Sequence, residues 1–355
     1  MAMLVETDDY LVREAHRLTR HLAAPSPVRY WSELLASVVI GWTALYLCGT
    51  TELPWSAAWF AVSVLAFYRA AVFIHEVVHL KGRAMQSYQV AWNVLVGVPL
   101  LMPSFFYEIH LTHHARSHYG TADDAEYIPW GGRQRIHIGL LPLVSIVSPL
   151  AGIARFLLLT PLGWLMPRFR PWLYESASAI KNRVGHRRTD LTVEGLPWWR
   201  IQEAAVCFWL WSVAAMVYFG WFSRGWVWLV IAVMSAVALV NSFRILASHR
   251  YGNEVHRMSL IEQIADSVNH PGGLLTELWA PAGLRYHALH HLLPALPYHT
   301  LGEAHRILMR ELPEDSYYRQ TNSPSLWHSL KTLWADARKG REAPLPAPGQ
   351  APSRP

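Results

Sequence analysis

The feature that most constrains the fold of this chain is a set of apolar stretches long enough to cross a lipid bilayer. Residues 54–74 carry one charged side chain, Arg69, and residues 204–222 and 225–243 carry none. Residues 34–48 form a shorter stretch, which flanking aromatic residues can extend. Because a spanning helix needs about 20 residues, the sequence predicts an all-α integral membrane protein with about four transmembrane helices.

The amino-acid composition supports the same class of protein. The 355-residue chain is 52% hydrophobic and only 16% charged, whereas a soluble domain is usually about 25% charged. Its 18 Trp and 15 Tyr are the side chains favoured at the two faces of a bilayer. We therefore expect the membrane and its lipids as partners, and no nucleic acid.

Nine histidines lie in three tight boxes and one isolated position, each just beyond an apolar run. Spacings of i, i+3 and i+4 place imidazoles on one face of a helix, where they can reach one metal ion. Nine ligands exceed the roughly six that one ion takes, so the pattern predicts two metals. The candidate ligands are His75, His79, His110, His113, His114, His249, His287, His290 and His291.

The number of membrane crossings and the distribution of Lys and Arg predict that these histidines lie on one side of the membrane. Residues 90–106 and 138–166 are apolar but contain prolines, and a single crossing by 138–166 would separate the first two boxes from the later histidines. We therefore expect both regions to be re-entrant or interfacial. The loop at 49–54 lacks Lys and Arg, while segments beside the boxes are rich in both. This asymmetry predicts a multi-pass protein with its active site on the cytoplasmic side.

The first box, HEVVH at residues 75–79, also matches the H-E-x-x-H signature of zinc hydrolases. In an intramembrane zinc protease, Glu76 would be the general base. Such a site needs only one further protein ligand and leaves the other boxes unexplained, so we interpret Glu76 as a hydrogen-bond acceptor for a ligand imidazole. A metal sensor or transporter would carry ionisable residues deep within its spans, which only Arg69 and Arg155 approach.

The ligands alone do not select the metal, because imidazole binds iron, zinc, copper and nickel. A two-metal site in an aromatic-rich membrane protein suits an acyl chain or another lipid as substrate. Breaking unactivated C–H bonds requires a redox metal and oxygen, and zinc cannot supply electrons. The sequence therefore favours two iron ions, with O2 as co-substrate.

Together these motifs resemble the membrane fatty acid desaturase family, which also contains hydroxylases and ketolases. The resemblance covers roughly residues 74–305. It is carried by the boxes, FFYEIH at 105–110, YGT at 119–121 with Asp124 and Glu126 after it, Arg244, HRYG at 249–252 and YHALHHL at 286–292. It implies four membrane helices, a cytosolic helical cap and a nonheme diiron centre held by the nine histidines.

The resemblance also implies a reaction. The leading prediction is an acyl-chain desaturase that uses O2 to introduce a double bond, and the alternative is a hydroxylase or ketolase acting on a lipid or carotenoid. Because the chain shows no flavin, haem or iron–sulfur motif, two electrons per turnover would come from a separate ferredoxin or cytochrome b5-type donor. The formal net charge of +6 would attract an acidic donor.

Several residues near the boxes have two interpretations each. Asp124 and Glu126 either accept N–H bonds from ligand imidazoles or lie in a solvated turn, and Arg244 either pairs with one of them or reaches towards the interface. In animal acyl-CoA desaturases of known structure, an Asn four residues before the isolated histidine helps one metal through water. Here that position is Ile245, and Asn241 lies one turn earlier.

The remaining expectations concern the substrate tunnel and the limits of the domains. His118 is a further candidate ligand or proton relay. Five residues either line the tunnel or anchor the protein in lipid: Trp92, Asn93, Phe105, Phe106 and Tyr107. We divide the chain into a cytosolic N-terminal segment (1–30), a desaturase-like membrane domain (31–310), a cytosolic C-terminal segment (311–342) and a disordered Pro-rich tail (343–355).

Overall fold

A computed structural model of the chain describes residues 7–128, 135–182, 186–188, 190, 195–253 and 256–337. Within these ranges the regular structure is helical, and strand pairing is limited to isolated bridges such as that of His249 with Ser267. The tail at 343–355 lies outside the described residues.

The α-helices of the described ranges are α1 Asp8–Thr19, α2 Pro27–Thr50, α3 Trp55–Val72, α4 Ile74–His79, α5 Gln86–Trp92, α6 His110–His113, α7 Arg135–Ala154, α8 Thr160–Leu165, α9 Arg170–Ala177, α10 Leu196–Tyr218, α11 Arg224–Ser248, α12 Leu260–Asp266, α13 Leu274–Trp279, α14 His287–Leu292, α15 Leu301–Glu311 and α16 Leu326–Asp336.

Five helical segments of the described ranges are long and apolar enough to cross a membrane. They are Pro27–Thr50, Trp55–His79, Ile138–Leu165, Leu196–Tyr218 and Arg224–Ser248. The prediction of an all-α membrane architecture is confirmed, but with five such segments instead of about four. The additional one is a nearly continuous helix in spite of its prolines, with a π-helical turn at Arg155–Leu159 between α7 and α8. Membrane helices tolerate proline because local π adjustments and neighbouring groups satisfy the freed backbone.

A contact between two histidines limits how these segments can cross the membrane. The Nε2 atoms of His113 and His249 are 3.3 Å apart, so both residues lie on the same side. Three of the five segments lie between them in the chain, and three full crossings would put them on opposite sides. At least one of the three therefore does not cross fully. A re-entrant or interfacial course for Ile138–Leu165 stays a prediction, as does the cytosolic position of the site.

One buried ion pair and two partly buried ones join the helices to one another. Arg155 is 4% exposed, and its guanidinium lies 2.8 Å from the Glu203 carboxylate of α10. Arg69 of α3 lies 2.5 Å from Glu33 of α2 and 2.9 Å from Glu277 of α13. Charged side chains within a bilayer are costly and are usually paired. These two arginines follow that rule and fix the relative positions of the helices that carry them.

The predicted ligands lie at the ends of helices or in very short ones. α4 continues the line of α3 beyond Phe73 and carries the first box, and α11 ends at Ser248, directly before His249. The second and third boxes lie in and next to α6 and α14. Two long apolar helices therefore deliver a histidine from their ends, and short helices supply the others.

The N-terminal helix packs over the region that follows α11. Leu11 and Ala15 of α1 are fully buried in a core with residues of α12 and α15. The carboxylate of Asp8 accepts the N–H groups of Leu260 and Ile261, at 3.1 and 3.0 Å, at the start of α12. An acidic side chain at a helix start stabilises the free N–H groups there. Helix α1 thus holds in place the segment that supports His249.

Candidate metal centre

The nine candidate ligands converge in two adjacent groups of imidazoles. The five-histidine cluster consists of His75, His79, His110, His114 and His290. The four-histidine cluster consists of His113, His249, His287 and His291. Within each cluster, one ring nitrogen of every histidine lies within 4.8 Å of the others. The fold therefore brings all three boxes and the isolated histidine together.

In the five-histidine cluster, the Nε2 atoms face one another at short range. Nε2 of His110 lies 2.9 Å from that of His114, and Nε2 of His290 lies 3.1 Å from those of His79 and His114. Two nitrogens bound at right angles to one ion, each about 2.1 Å from it, are about 3 Å apart. The observed spacings are those of ligands around one ion.

The four-histidine cluster has the same spacing. Nε2 of His287 lies 2.8 Å from that of His249 and 3.1 Å from that of His291, and Nε2 of His113 lies 3.3 Å from that of His249. All four side chains are buried. Each cluster therefore offers a converging set of nitrogen lone pairs to one ion.

Ring nitrogens without a hydrogen-bond partner indicate whether the clusters suit a metal ion. Within the described part of the chain, neither nitrogen of His75 has a hydrogen-bond partner, and Nδ1 of His114, His287 and His290 has none. His75 is only 5% exposed, and a buried polar atom without a partner is costly. An ion in the five-histidine cluster would satisfy one nitrogen of His75, so the residues present fit a metal.

Burial keeps most of these imidazoles neutral, which is the state that binds metal. Desolvation, followed by the repulsion of neighbouring histidines, lowers the pKa of each of the following well below its usual value: His110, His114, His287, His290 and His291. Protons therefore compete weakly with a metal ion for these nitrogens.

Two carboxylates contact the far ring nitrogens of the second box. Asp124 Oδ2 lies 2.8 Å from Nδ1 of His113, and Glu126 Oε1 lies 2.9 Å from Nδ1 of His110. A carboxylate that accepts from Nδ1–H leaves the Nε2 lone pair free for a metal. Burial would lower the pKa of His113, but the Asp124 carboxylate outweighs burial and raises it. Burial raises the pKa of Glu126 to about 7.

The turn after the second box fixes the Asp124 carboxylate. Its oxygens accept the backbone N–H groups of Gly120, Glu126 and Tyr127 at 3.0, 2.9 and 3.1 Å. Burial would raise the pKa of Asp124, but the neighbouring His113 imidazole and the N–H groups of Gly120 and Glu126 hold it below its usual range. Gly120 has a φ of +70°, and a Cβ there would lie 2.4 Å from Asn253, so only glycine fits this turn.

His249 is held by a network that sequence reasoning missed. Its Nδ1 lies 2.9 Å from the Tyr119 hydroxyl and 3.3 Å from the Ser267 hydroxyl, and Tyr119 donates in turn to Asp266 at 3.0 Å. Tyr119 stands in the YGT run that carried the family resemblance, but it had been given no role. Nothing in the sequence marks Asp266 or Ser267, because their approach to His249 depends on the fold.

Comparison with known proteins decides the family. A sequence model described as fatty acid desaturase matches residues 53–322. This chain belongs to the fatty acid desaturase family. A protein of Caulobacter vibrioides named ceramide hydroxylase is 37% identical over 341 residues, which cover 94% of this chain and 95% of that protein. No solved structure matches the chain.

Membership of the desaturase family agrees with the geometry of the site. The family consists of diiron oxidoreductases, and this chain has two histidine clusters that could each bind a metal. Its five apolar helices fit an integral multi-pass membrane protein that acts on lipid. The family contains both desaturases and hydroxylases, so membership alone does not select the reaction.

In this desaturase-family chain, Glu76 is not placed as the sequence suggested. Its carboxylate accepts hydrogen bonds from the Tyr30 hydroxyl and, at 3.2 Å, from the Tyr298 backbone N–H. It lies 3.8 Å from Nδ1 of His75, which is too far for a hydrogen bond. Glu76 therefore links α4 to α2 and to the segment after the third box, instead of orienting an imidazole.

Three further residues depart from their expected places. His118 lies outside both clusters, with Nδ1 2.7 Å from the Ser117 hydroxyl. The Asn241 Oδ1 accepts from Nε of Arg244 at 2.9 Å within α11 and forms no hydrogen bond to a candidate ligand in the described residues. The predicted pairing of Arg244 with Asp124 or Glu126 is absent from the described residues, in which no carboxylate lies within 4.0 Å of its guanidinium.

The candidate tunnel residues are all part of the protein interior. The five side chains are 0% to 8% exposed, which excludes the alternative of lipid-facing anchors: Trp92, Asn93, Phe105, Phe106 and Tyr107. Tyr107 stacks on His110, with ring centroids 4.6 Å apart. Tyr107 thus forms an apolar wall of the five-histidine cluster.

Proposed function

We propose that this protein is an O2-dependent hydroxylase that adds a hydroxyl group to an aliphatic chain of a ceramide-type lipid. The observation that carries the proposal is the 37% identity to a ceramide hydroxylase over 94% of this chain. Because the similarity extends over nearly the whole chain, it is not confined to the histidine boxes that desaturases and hydroxylases share. The convergence of nine imidazoles in two clusters supports the oxidative chemistry.

Each cluster would hold one iron, and the two bound irons would supply the redox chemistry that lets O2 oxidise an unactivated C–H bond. The chain's own groups prepare that centre. Asp124 and Tyr119 would hold the Nδ1 atoms of His113 and His249, so that each Nε2 lone pair points at a metal. The buried aromatic residues beside the second box would exclude water and guide an apolar chain.

The electron balance of the hydroxylation reaction requires a reductant. One C–H bond is replaced by C–OH, the second oxygen atom leaves as water, and two electrons and two protons are consumed. We propose an external ferredoxin or cytochrome b5-type protein as the electron donor. An acidic donor would be attracted by the formal net charge of +6.

Desaturation is the second candidate, and the family description supports it. It consumes the same O2 and two electrons, but the lipid loses two hydrogens and both oxygen atoms leave as water. The two outcomes differ by small displacements of the chain at the metals, so the histidine ligands do not distinguish them.

The test is expression of the full chain in a host that makes ceramide, grown under isotopically labelled O2 and followed by mass spectrometry of its lipids. Hydroxylation predicts a ceramide that gains one labelled oxygen atom. Desaturation predicts a lipid that loses two hydrogens and gains no label. His249→Ala is the matched control and should give neither product.

Two results would contradict the proposal. A label-free unsaturated lipid as the sole product would replace hydroxylation by desaturation. No oxidised lipid from iron-loaded protein with O2 and reductant, together with peptide cleavage that needs no O2, would favour an intramembrane zinc protease instead.

A further inference from the structure

Arg244 is a buried cation beside the metal site. It lies in the last two turns of α11, is 9% exposed and precedes His249 by just over one turn. Because an α-helix rises 1.5 Å per residue, its Cα lies about 6 Å from the end of α11, towards the membrane. A lipid chain that reaches the clusters along the membrane end of α11 would pass this level.

Two other arginines of the apolar helices form direct ion pairs. Arg155 lies 2.8 Å from the Glu203 carboxylate, and Arg69 is paired with both Glu33 and Glu277. Arg244 has no carboxylate within 4.0 Å among the described residues. The Glu126 carboxylate acts on it electrostatically but contacts His110 instead, so Arg244 lacks the direct partner that the other two arginines have.

The neighbours of Arg244 leave part of its guanidinium available. Its Nε donates to the Asn241 Oδ1 at 2.9 Å. This neutral acceptor accounts for one of its five N–H groups. Its charge acts on His75 of one cluster, on His287 of the other and on the Glu126 carboxylate.

Metal ions held by neutral imidazoles would repel this cation, and an oxygen acceptor beside its remaining N–H groups would offset that repulsion. The guanidinium is a planar fork of N–H donors that is suited to oxygen acceptors. An aliphatic chain offers no acceptor, whereas the linkage between a chain and its head group does.

We propose that Arg244 binds the carbonyl oxygen of the lipid substrate and thereby determines which carbon is oxidised. The inference rests on the proposed function for the lipid class but not for the reaction, since either oxidation would be directed in the same way. With the carbonyl held beside both clusters, the oxidised carbon lies within a few bonds of it and not in the middle of the chain. The amide of a ceramide and the ester of an acyl lipid both offer this acceptor.

The first test needs no variant. Fragmentation mass spectrometry of the product made by the unaltered protein locates the new functional group, whether hydroxyl or double bond. We expect it on the acyl chain within a few carbons of the carbonyl. Oxidation in the middle of the chain, or near its methyl end, would overturn the role of Arg244 even if the proposed hydroxylation were correct.

The second test compares substrates in the purified, iron-loaded protein with reductant and O2. The set contains a ceramide, an ester-linked lipid and an ether-linked analogue that lacks the carbonyl, all with the same chain. Loss of a charge-assisted hydrogen bond predicts that Arg244→Gln lowers kcat/KM for the preferred carbonyl substrate about 10- to 100-fold. The ether analogue should be affected little, and the variant should oxidise a broader range of carbons.

Arg244→Lys keeps the charge and should restore part of the selectivity. Arg69→Gln is the matched control, because it removes a paired arginine from another membrane helix. We expect Arg69→Gln to lower thermal stability without changing the position of oxidation or the preference for carbonyl over ether substrates.

An equal loss for the carbonyl and ether substrates in Arg244→Gln, with iron retained, would show that Arg244 does not bind the carbonyl. If ceramide and ester are used equally, the carbonyl role stands and the ceramide class is wrong.

Discussion

The two histidine clusters differ in how far they are closed off and in how their ligands are held. Every imidazole of the four-histidine cluster is buried, whereas His79 and His114 of the five-histidine cluster are only partly buried. In the four-histidine cluster, Asp124 contacts His113 and Tyr119 contacts His249. In the described part of the chain, Nδ1 lacks a partner in three of the five-histidine ligands, His75, His114 and His290, but in only one of the four-histidine ligands, His287. In the five-histidine cluster, His110 alone contacts a carboxylate, that of Glu126.

This difference suggests that the two clusters have different tasks, one holding a fixed geometry at the substrate and the other receiving electrons. The four-histidine cluster is rigidly held and has no ligand to spare, which suits a fixed geometry at the substrate. The five-histidine cluster has a larger ligand set, looser support and an edge that approaches the surface. That edge would offer the shorter route for electrons from the proposed external donor. The predictions below test this contrast.

The largest expected effect is that of His249→Ala. It leaves three imidazoles in the four-histidine cluster, so we expect activity to fall to background and about one iron per chain to be lost. His79→Ala leaves four imidazoles in the other cluster and should lose activity while retaining more iron. Elemental analysis and product formation measure the two effects separately. Near-normal turnover by iron-loaded His249→Ala would show that the ligand set is smaller than the geometry suggests.

A smaller effect is expected from the carboxylates that support the second box. Asp124→Asn should lower activity about 10- to 100-fold, the usual range for a group that orients a metal ligand. Asp124 is fully buried, and the pKa of its carboxyl is held low, so its charge is firmly present. Burial raises the pKa of Glu126 to about 7, so Glu126→Gln should cost less.

Steady-state rates of both carboxylate variants at equal iron content are the appropriate measurement. An equal loss in Asp124→Asn and Glu126→Gln would remove the distinction between a rigidly and a loosely supported cluster. Full activity in Asp124→Asn would mean that the His113 ring keeps its orientation without the carboxylate.

The smallest expected effect is that of Glu76→Gln. Glu76 contacts Tyr30 and the Tyr298 backbone and forms no hydrogen bond to an imidazole. We therefore expect less than about a tenfold loss of activity, together with a lower thermal stability. In a zinc hydrolase the same change would end catalysis. A fully iron-loaded Glu76→Gln protein without activity would give Glu76 a chemical role that the structure does not suggest.

Much of this fold could be predicted from local sequence patterns. Charge-free apolar runs indicate spanning helices, and i, i+3 and i+4 spacing indicates which imidazoles share a helix face. Ile138–Leu165 was harder to predict, because prolines inside an apolar run fit both a kinked helix and an interfacial segment. The charge of Arg155 in this run is explained only by Glu203, which belongs to a different helix.

The candidate site was predictable in its ligands but not in their support. The spacing of the histidines identifies them as ligands, whereas Asp266 reaches His249 through Tyr119 only because the fold brings the end of α12 beside His249. The orientation of Glu76 depends in the same way on Tyr30 from a distant helix. For Arg244 the sequence left pairing with Asp124 or Glu126 and an interfacial position both open, because the absence of a direct partner cannot be seen in a sequence.

The metal content of the purified full-length chain tests the central claim most directly. Two clusters with ligand spacing around separate centres predict about two irons per chain. Elemental analysis after expression with iron, followed by removal of loosely bound metal, should give that ratio. One zinc per chain with no iron would contradict a diiron centre.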